Sequence, residues 1–265
     1  MHQVLSFLPD IESEYIFITG DYSFLPRLGL GSKYDSLGYF HEAVLNKYSN
    51  STIVFPLASM NLCNTSIPFS TLYTASHQMG AYSEFIRVHH GCERTIHPFW
   101  SCGAIGSNAS TITKNISPHA FATNSIWDRL CNNQAVQLTL NKPVTRALTT
   151  VHHCECISGV PYRYTKEFYH PMQGVEGSIY YENFYLSVFY ANLCVQKRID
   201  RNVHFVQGMA PDAHILYSGS NSSLVAPISV LNLNAFRETT CNIISSNMYT
   251  YLQYPPDSDT RPYRK

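Results

Sequence analysis

Hydrophobic positions along the chain fall into short runs separated by polar loops. Tyr15–Thr19 (YIFIT) is a continuous apolar run closed by the turn signal Gly20-Asp21, and it reads as a short buried strand. From Ser36 to Tyr48 the rhythm becomes helical, with Leu37, Phe40, Ala43, Val44 and Tyr48 on one side. Thr52–Phe55 (TIVF) is a second strand closed by Pro56, and a loop rich in Asn, Thr and Ser follows. Ser76–Arg87 reads as helical despite Gly80, and Arg94–Gly106 carries too many special residues for a plain element and reads as a functional loop. Ser125–Leu130 is helical, Ala135–Leu140 alternates like a strand, and Arg146–Ile157 forms a compact helix or helical turn. After Gly159-Val160-Pro161 the texture changes. Ser178–Asn192 is dense in Tyr and Phe, Val203–Val206 and His214–Ser218 read as further strands, and Leu224–Ile244 is helical towards its end. The tail from Pro255 to Lys265 is polar. No internal repeat or linker interrupts the pattern. Alternating strands and helices predict an α/β chain whose second half is richer in β-structure and aromatics.

Composition narrows the picture. A chain of 265 residues with 45% hydrophobic residues can bury a substantial core, so one large domain over 1–265 is expected. Lys+Arg and Asp+Glu are both 18, and a balanced charge of this kind argues against a broad nucleic-acid-binding face. Charged residues reach only 14%, which together with the many tyrosines points to a possible homodimer. No apolar stretch approaches the roughly 20 residues that span a bilayer. The N-terminus has no basic region ahead of an apolar run, so a cytoplasmic location without membrane attachment is expected. The eight cysteines then read as reduced thiols rather than disulfides.

Chemistry concentrates in three places. In Thr149-Thr150-Val151-His152-His153-Cys154-Glu155, helical geometry sets Thr149, His152 and Glu155 on one face. A carboxylate beside an imidazole fixes its tautomer and raises its basicity, as a general base requires. The same residues also fit a solvated helix with an incidental i,i+3 pair. A metal site fits less well: adjacent His152 and His153 point to different helix faces, and no CxxC, HxxxH or HExxH spacing is present. The second cluster, Arg94 to Gly106, combines a cation, His97 next to a proline, and small residues that let a ligand approach the backbone. The third is Ser117-Pro118-His119 with Ser125 and Trp127 downstream.

In order and spacing, these clusters resemble the aminoglycoside 3-N-acetyltransferase (antibiotic N-acetyltransferase) family. The resemblance runs through Gly80-Ala81-Tyr82-Ser83-Glu84-Phe85-Ile86-Arg87, Gly91 and Arg94-Thr95-x-His97-Pro98-x-x-Ser101-x-x-Ala104-x-Gly106. It continues through His119, Ser125 and Thr149-x-x-His152-x-x-Glu155 to Val160-Pro161-Tyr162-Arg163, and is strong over about residues 50–165. It implies a central mixed sheet flanked by helices, a cofactor-binding and catalytic part over about 1–165, and a divergent, β-rich acceptor-side part over about 166–265. It also implies acetyl-CoA as acyl donor (a longer acyl-CoA being compatible), no metal, and direct transfer to a small-molecule amine inside a ternary complex. On that resemblance His152 is the general base, Glu155 orients and charges it, and Thr149 is a donor for the oxyanion. Ser101, Cys102, His97 and Ser23 are expected along the cofactor, and Asp21, Ser76 and Glu84 on the acceptor.

The family's His-Ser-Ser run after the first strand is replaced here by Thr19-Gly20-Asp21-Tyr22-Ser23. The divergent half has few carboxylates, which favours an amino-sugar amine less cationic than an aminoglycoside. An aminoglycoside 3-N-acetyltransferase conferring resistance, and a catalytically silent binding protein, are the alternative readings.

Overall fold

The structure is a computed structural model that describes residues 7–28, 30–190, 213–219 and 222–252. The expected strand Val203–Val206 and the tail from Pro255 lie outside these residues.

Nine strands and six α-helices are found among the described residues. In chain order they are β1 (Tyr15–Gly20), α1 (Lys33–Lys47), β2 (Thr52–Pro56), α2 (Ala81–His89), β3 (Glu93–Arg94), β4 (Cys102–Ile105), α3 (Ala109–Thr113) and α4 (Ile126–Asn132). They continue with β5 (Val136–Leu140), α5 (Thr150–Ile157), β6 (Arg163–Gln173), β7 (Ile179–Phe189), β8 (Ala213–Gly219), β9 (Ser222–Asn232) and α6 (Leu233–Ser246). Seven strands form one mixed sheet in the order β3-β4-β2-β1-β5-β9-β8, while β6 and β7 form a separate antiparallel ribbon. The mixed α/β architecture expected from the sequence is therefore present. β1 pairs in parallel with β2 on one side and β5 on the other, and the outer strands run antiparallel to their inner neighbours.

The central strand shows why its sequence is apolar at consecutive positions. Ile16 and Ile18 pack into a core with Leu37, Phe40 and Val44 of α1. Tyr15 and Phe17 point the other way, into a core with Trp127 and Leu130 of α4. A strand buried on both faces needs no polar alternation. α1 starts at a capping box, in which Ser32 and Asp35 each satisfy the other's backbone N–H. A third core, built on Val151 and Cys154 of α5 and Phe236 and Ile244 of α6, seats the helix that carries His152.

Two local differences from the sequence expectation, and one segment it left open, have simple causes. The expected helix Ser76–Arg87 is split, with a 3-10 turn at His77–Met79 and α2 starting only after Gly80, whose φ of 91° is left-handed. The expected loop Arg94–Gly106 contributes β4, because Gly103 sits flush against Phe55 and Leu57, where a Cβ would lie 2.7 to 2.8 Å from their side chains. Leu224–Ile244 is helical towards its end as expected, from Leu233 behind an Asn232 side-chain cap on the Ala235 amide, and its first part, left unassigned by the sequence, is strand β9. Pairing with both β5 and β8 makes that first part a strand.

β1 and β5 end at the same edge. Gly20 lies so close to β5 that a Cβ would fall 2.1 Å from the Leu140 carbonyl oxygen, and the Asp21 amide donates to that oxygen at 2.9 Å. The chain leaves β1 towards β2 on one side while β5 lies on the other. This reversal opens a crevice at the carboxyl ends of the strands, the usual ligand position in open α/β sheets.

Candidate active site

A cleft of about 660 Å³ occupies that crevice. Thr19, Gly20, Asp21 and Ser23 line it from the end of β1, Pro56 from the end of β2, and Lys142, Arg146 and Thr149 from the segment between β5 and α5. Lys33 at the start of α1, Gln78 to Ala81 before and at the start of α2, and Trp100 complete the wall. Among these lining residues, three cations (Lys33, Lys142, Arg146) face one carboxylate (Asp21). The Asp21 carboxylate accepts the Ser23 amide at 2.9 Å and so folds the lip of the cleft.

α5 carries the pair picked out by its spacing. His152 Nδ1 and Glu155 Oε2 are 3.2 Å apart, one helical turn along the same face. The Glu155 side chain is fully buried, whereas that of His152 is 22% exposed, so the imidazole alone keeps a route to solvent. Two further residues hold the carboxylate. Tyr162 donates its hydroxyl to Oε1 at 2.9 Å, and Arg163 Nη2 lies 2.8 Å from Oε2. Together these three donors keep a buried carboxylate in place.

The His152 ring stands between two aromatic side chains, with ring centroids 6.0 Å from Trp100 and 5.3 Å from Phe121, both edge-on. Each aromatic is delivered by a turn folded around another histidine. His97 Nδ1 accepts the Phe99 and Trp100 amides at 3.3 and 3.2 Å. His119 Nδ1 accepts the Phe121 and Ala122 amides at 3.1 and 3.2 Å. An Nδ1 that accepts must be unprotonated, so both rings are neutral with their proton on Nε2. His97 Nε2 then faces the Tyr185 carbonyl at 3.4 Å, and His119 Nε2 faces Thr165 Oγ1 at 3.3 Å. The backbone of Tyr185 also bridges to the second turn, pairing with Pro118 and Ala120. The β6–β7 ribbon thus ties both turns together. His153, pointing away from its neighbour, donates from Nδ1 to the Phe121 carbonyl at 2.8 Å and fixes that ring's backbone from the other side.

These neutral histidines make the fold acid-sensitive. Burial pushes the His97 imidazole from 6.5 down to about 3. Burial, and then nearby His90, pushes His41 down to about 4. The unfolded chain takes up a proton on such a ring near its ordinary value, so the folded state binds fewer protons between the two values. Stability is therefore complete above about pH 6.5 and falls as pH drops through that window, by about 2 kcal/mol for His97 alone at about pH 5. Urea unfolding midpoints are expected to fall between neutral pH and about pH 5, and to fall less in a His97→Asn variant. A midpoint that stays level with pH would contradict the assignment.

The structure separates the expected site residues into two groups. Asp21, Ser23 and Thr149 line the cleft, and His152 and Glu155 form the pair next to Thr149 and Trp100. The others do internal work. Ser101, 1% exposed, accepts from Arg94 Nε at 3.0 Å and donates to the Leu57 carbonyl at 2.7 Å. Cys102 is 1% exposed in β4, where burial pushes its thiol up to about 12. Ser76 is buried, donating its amide to Glu84 and its hydroxyl to the Ala58 carbonyl. Glu84 pairs with Arg87 at 2.5 Å and lines a side groove of about 400 Å³ that shares Lys33, Leu37, Gly80 and Ala81 with the main cleft. Tyr162, Arg163, Trp100, Phe121 and the three cleft cations were not picked out as site residues from the sequence. The one signal for the first two is that Val160-Pro161-Tyr162-Arg163 closes the run of family-like motifs. Among the described residues, no group of three or more His, Cys, Asp or Glu side chains could hold a metal, and no helix is long and apolar enough to cross a membrane.

Comparison with known proteins adds an independent line. No curated protein sequence matches the chain. Its fold is similar to aminoglycoside acetyltransferase AAC(3)-Xa, with a TM-score of 0.73 at 15% identity over 93% of each chain. It is also similar to the YokD protein from Bacillus subtilis, with a TM-score of 0.70 at 15% identity over 93% of this chain and 98% of that one. AAC-IIIb, solved as a binary complex with CoASH, gives 0.69 at 17% identity over 95% and 96%. At such identities these likenesses speak for the fold. The aminoglycoside 3-N-acetyltransferase family profile matches residues 46–207, more than half of the chain and a span that contains His152, Glu155, Tyr162 and Arg163. The chain belongs to the aminoglycoside 3-N-acetyltransferase family, acyltransferases that act on amines.

Proposed function

We propose that this enzyme transfers an acetyl group from acetyl-CoA to a primary amine of an amino sugar, with His152 as general base. The observation that carries the reading is the Glu155-backed imidazole, part-exposed beside the Thr149 and Trp100 wall of a cleft that holds three cations. Lys33, Lys142 and Arg146 suit the phosphates of a coenzyme A, and AAC-IIIb, a protein of similar fold, binds CoASH. An ammonium has no lone pair and cannot attack a thioester. With Nδ1–H donated to Glu155, Nε2 is the nitrogen left to take the amine's proton. The ammonium first releases one proton to solvent; as the free amine nitrogen bonds to the thioester carbon, His152 Nε2 takes a second proton from that nitrogen, the C–S bond breaks, and the proton held by His152 goes to the departing thiolate. Thr149 and nearby backbone N–H groups supply donors for the oxyanion.

Among the described residues that line the cleft Asp21 is the one carboxylate, which favours an acceptor with fewer positive charges than a polycationic aminoglycoside. Within this reading, residues 1–265 act as one acyltransferase domain. The test is CoA release from acetyl-CoA across a panel of mono-amino sugars, nucleotide-linked amino sugars and aminoglycosides. The highest kcat/KM is expected for an acceptor with a single amine. A preference for aminoglycosides of tenfold or more would overturn the acceptor assignment. No release with any amine, and no rise in Tm on adding acetyl-CoA, would overturn the acyl-transfer reading.

A further inference from the structure

Arg163 touches both members of the His152–Glu155 pair. Its Nη2 lies 2.8 Å from Glu155 Oε2 and 3.1 Å from His152 Nδ1. The guanidinium is held firmly. Its side chain is 7% exposed, its Cζ sits 4.0 Å above the centroid of the Phe189 ring, and Nη1 donates to the Ser187 carbonyl at 2.8 Å. A buried carboxylate alone beside an imidazole favours the imidazolium, and an imidazolium cannot accept a proton. A cation fixed 3.1 Å from the same ring opposes that effect.

We propose that Arg163 is a positioning residue for the proton acceptor, holding His152 neutral with its proton on Nδ1 by setting a fixed cation against the carboxylate oxygen that His152 uses. This rests on the reading of His152 as the base. Nδ1 lies within hydrogen-bond distance of both Glu155 Oε2, at 3.2 Å, and Arg163 Nη2, at 3.1 Å, so charge rather than distance sets the tautomer. Glu155 Oε2 is an anion and is nearer to Nη2 than Nδ1 is, so the Arg163 N–H and the Nδ1–H both turn to that oxygen. Nε2 is then left to accept. Without the guanidinium, Glu155 draws a second proton onto the ring; without Glu155, Arg163 donates to Nδ1 and places the proton on Nε2.

Among the described residues, charged groups face His152 from its own helix and from β6. Glu155 lies on its own helix and Arg163 comes from β6, with the Tyr162 hydroxyl acting through Glu155. Its flanking rings, Trp100 and Phe121, carry no charge. From the cleft, Arg146 and Lys142 share a wall with Thr149, and Asp21 faces them.

The test is an NMR titration of isotopically labelled histidine in the folded enzyme, with the His152 signal assigned by its loss in His152→Gln. Arg163→Met is expected to raise the His152 titration midpoint by about one pH unit or more. Arg163→Lys, which keeps the charge, should recover most of that change, and the acid limb of kcat/KM for CoA release should move with it. A midpoint unchanged in folded Arg163→Met would overturn the proposal. Should that variant not fold, Glu155→Gln is compared with the Arg163→Met/Glu155→Gln double variant, in which loss of the guanidinium should again raise the midpoint. Equal midpoints in those two would overturn it equally. The titration needs no turnover, so an enzyme inactive on every amine sinks the acyl-transfer reading, whereas an active enzyme with unmoved midpoints sinks the Arg163 role alone.

Discussion

A His152→Ala variant is expected to lose about 10²- to 10⁴-fold in kcat for CoA release, with KM for acetyl-CoA little changed. The split follows from the geometry. The cleft wall is supplied by β1, by the segment after β5 and by the starts of α1 and α2, so removing the imidazole leaves the seat proposed for the donor intact. What is lost, on the role proposed for His152, is the proton acceptor, which acts only as the amine becomes a nucleophile. His152 also fills the space between Trp100 and Phe121. His152→Gln is therefore the companion variant, because it keeps volume and polarity but takes up no proton. Both should retain the wild-type response of Tm to acetyl-CoA. A kcat within tenfold of wild type in either variant would remove His152 from the chemistry.

Glu155→Ala should be the most damaging substitution to the fold itself, costing about 3–5 kcal/mol of stability. The glutamate is fully buried and is the shared acceptor for His152, Tyr162 and Arg163. Deleting it leaves a buried guanidinium and a buried hydroxyl facing a void. Removing the Tyr162 hydroxyl alone, in Tyr162→Phe, should cost only about 1 kcal/mol, since one neutral donor is lost and Glu155 keeps its cation. The urea midpoints of the two variants decide the matter, provided the slope of unfolding free energy against urea is unchanged. A Glu155→Ala loss no larger than that of Tyr162→Phe would mean that the carboxylate is not the hub described here.

The two effects bear on different links of the chain from sequence to function. The His152–Glu155 spacing is local: three residues on one helix cannot avoid sharing a face once the helix forms. Its partners are not local. Tyr162 lies just before β6 and Arg163 opens it, and Arg163 reaches the site because the β6–β7 register sets it opposite Phe189, whose ring stacks on its guanidinium. Trp100 and Phe121 arrive on two separate loops, each folded about its own histidine. That explains why His97 reads from the sequence as a candidate for the site and yet lies 1% exposed behind it. The same holds for Ser101, whose small side chain is a partner of buried Arg94.

The sequence by itself determined the α/β class, the strand of β1, the helix of α1, the His–carboxylate pair on α5 and the family-like order of motifs. The first four rest on periodicity or on neighbours within a turn or two of chain, and the last on the order of motifs over about residues 50–165. Only the tertiary structure decided that β9 is a strand beside β5, that Lys33, Lys142 and Arg146 converge on one cleft, and that Arg163 stands against His152 and Glu155. The reason is physical. A charge acts on its neighbours through distance and burial, and along this chain residue 163 meets residues 152 and 155 only when α5 and β6 have packed.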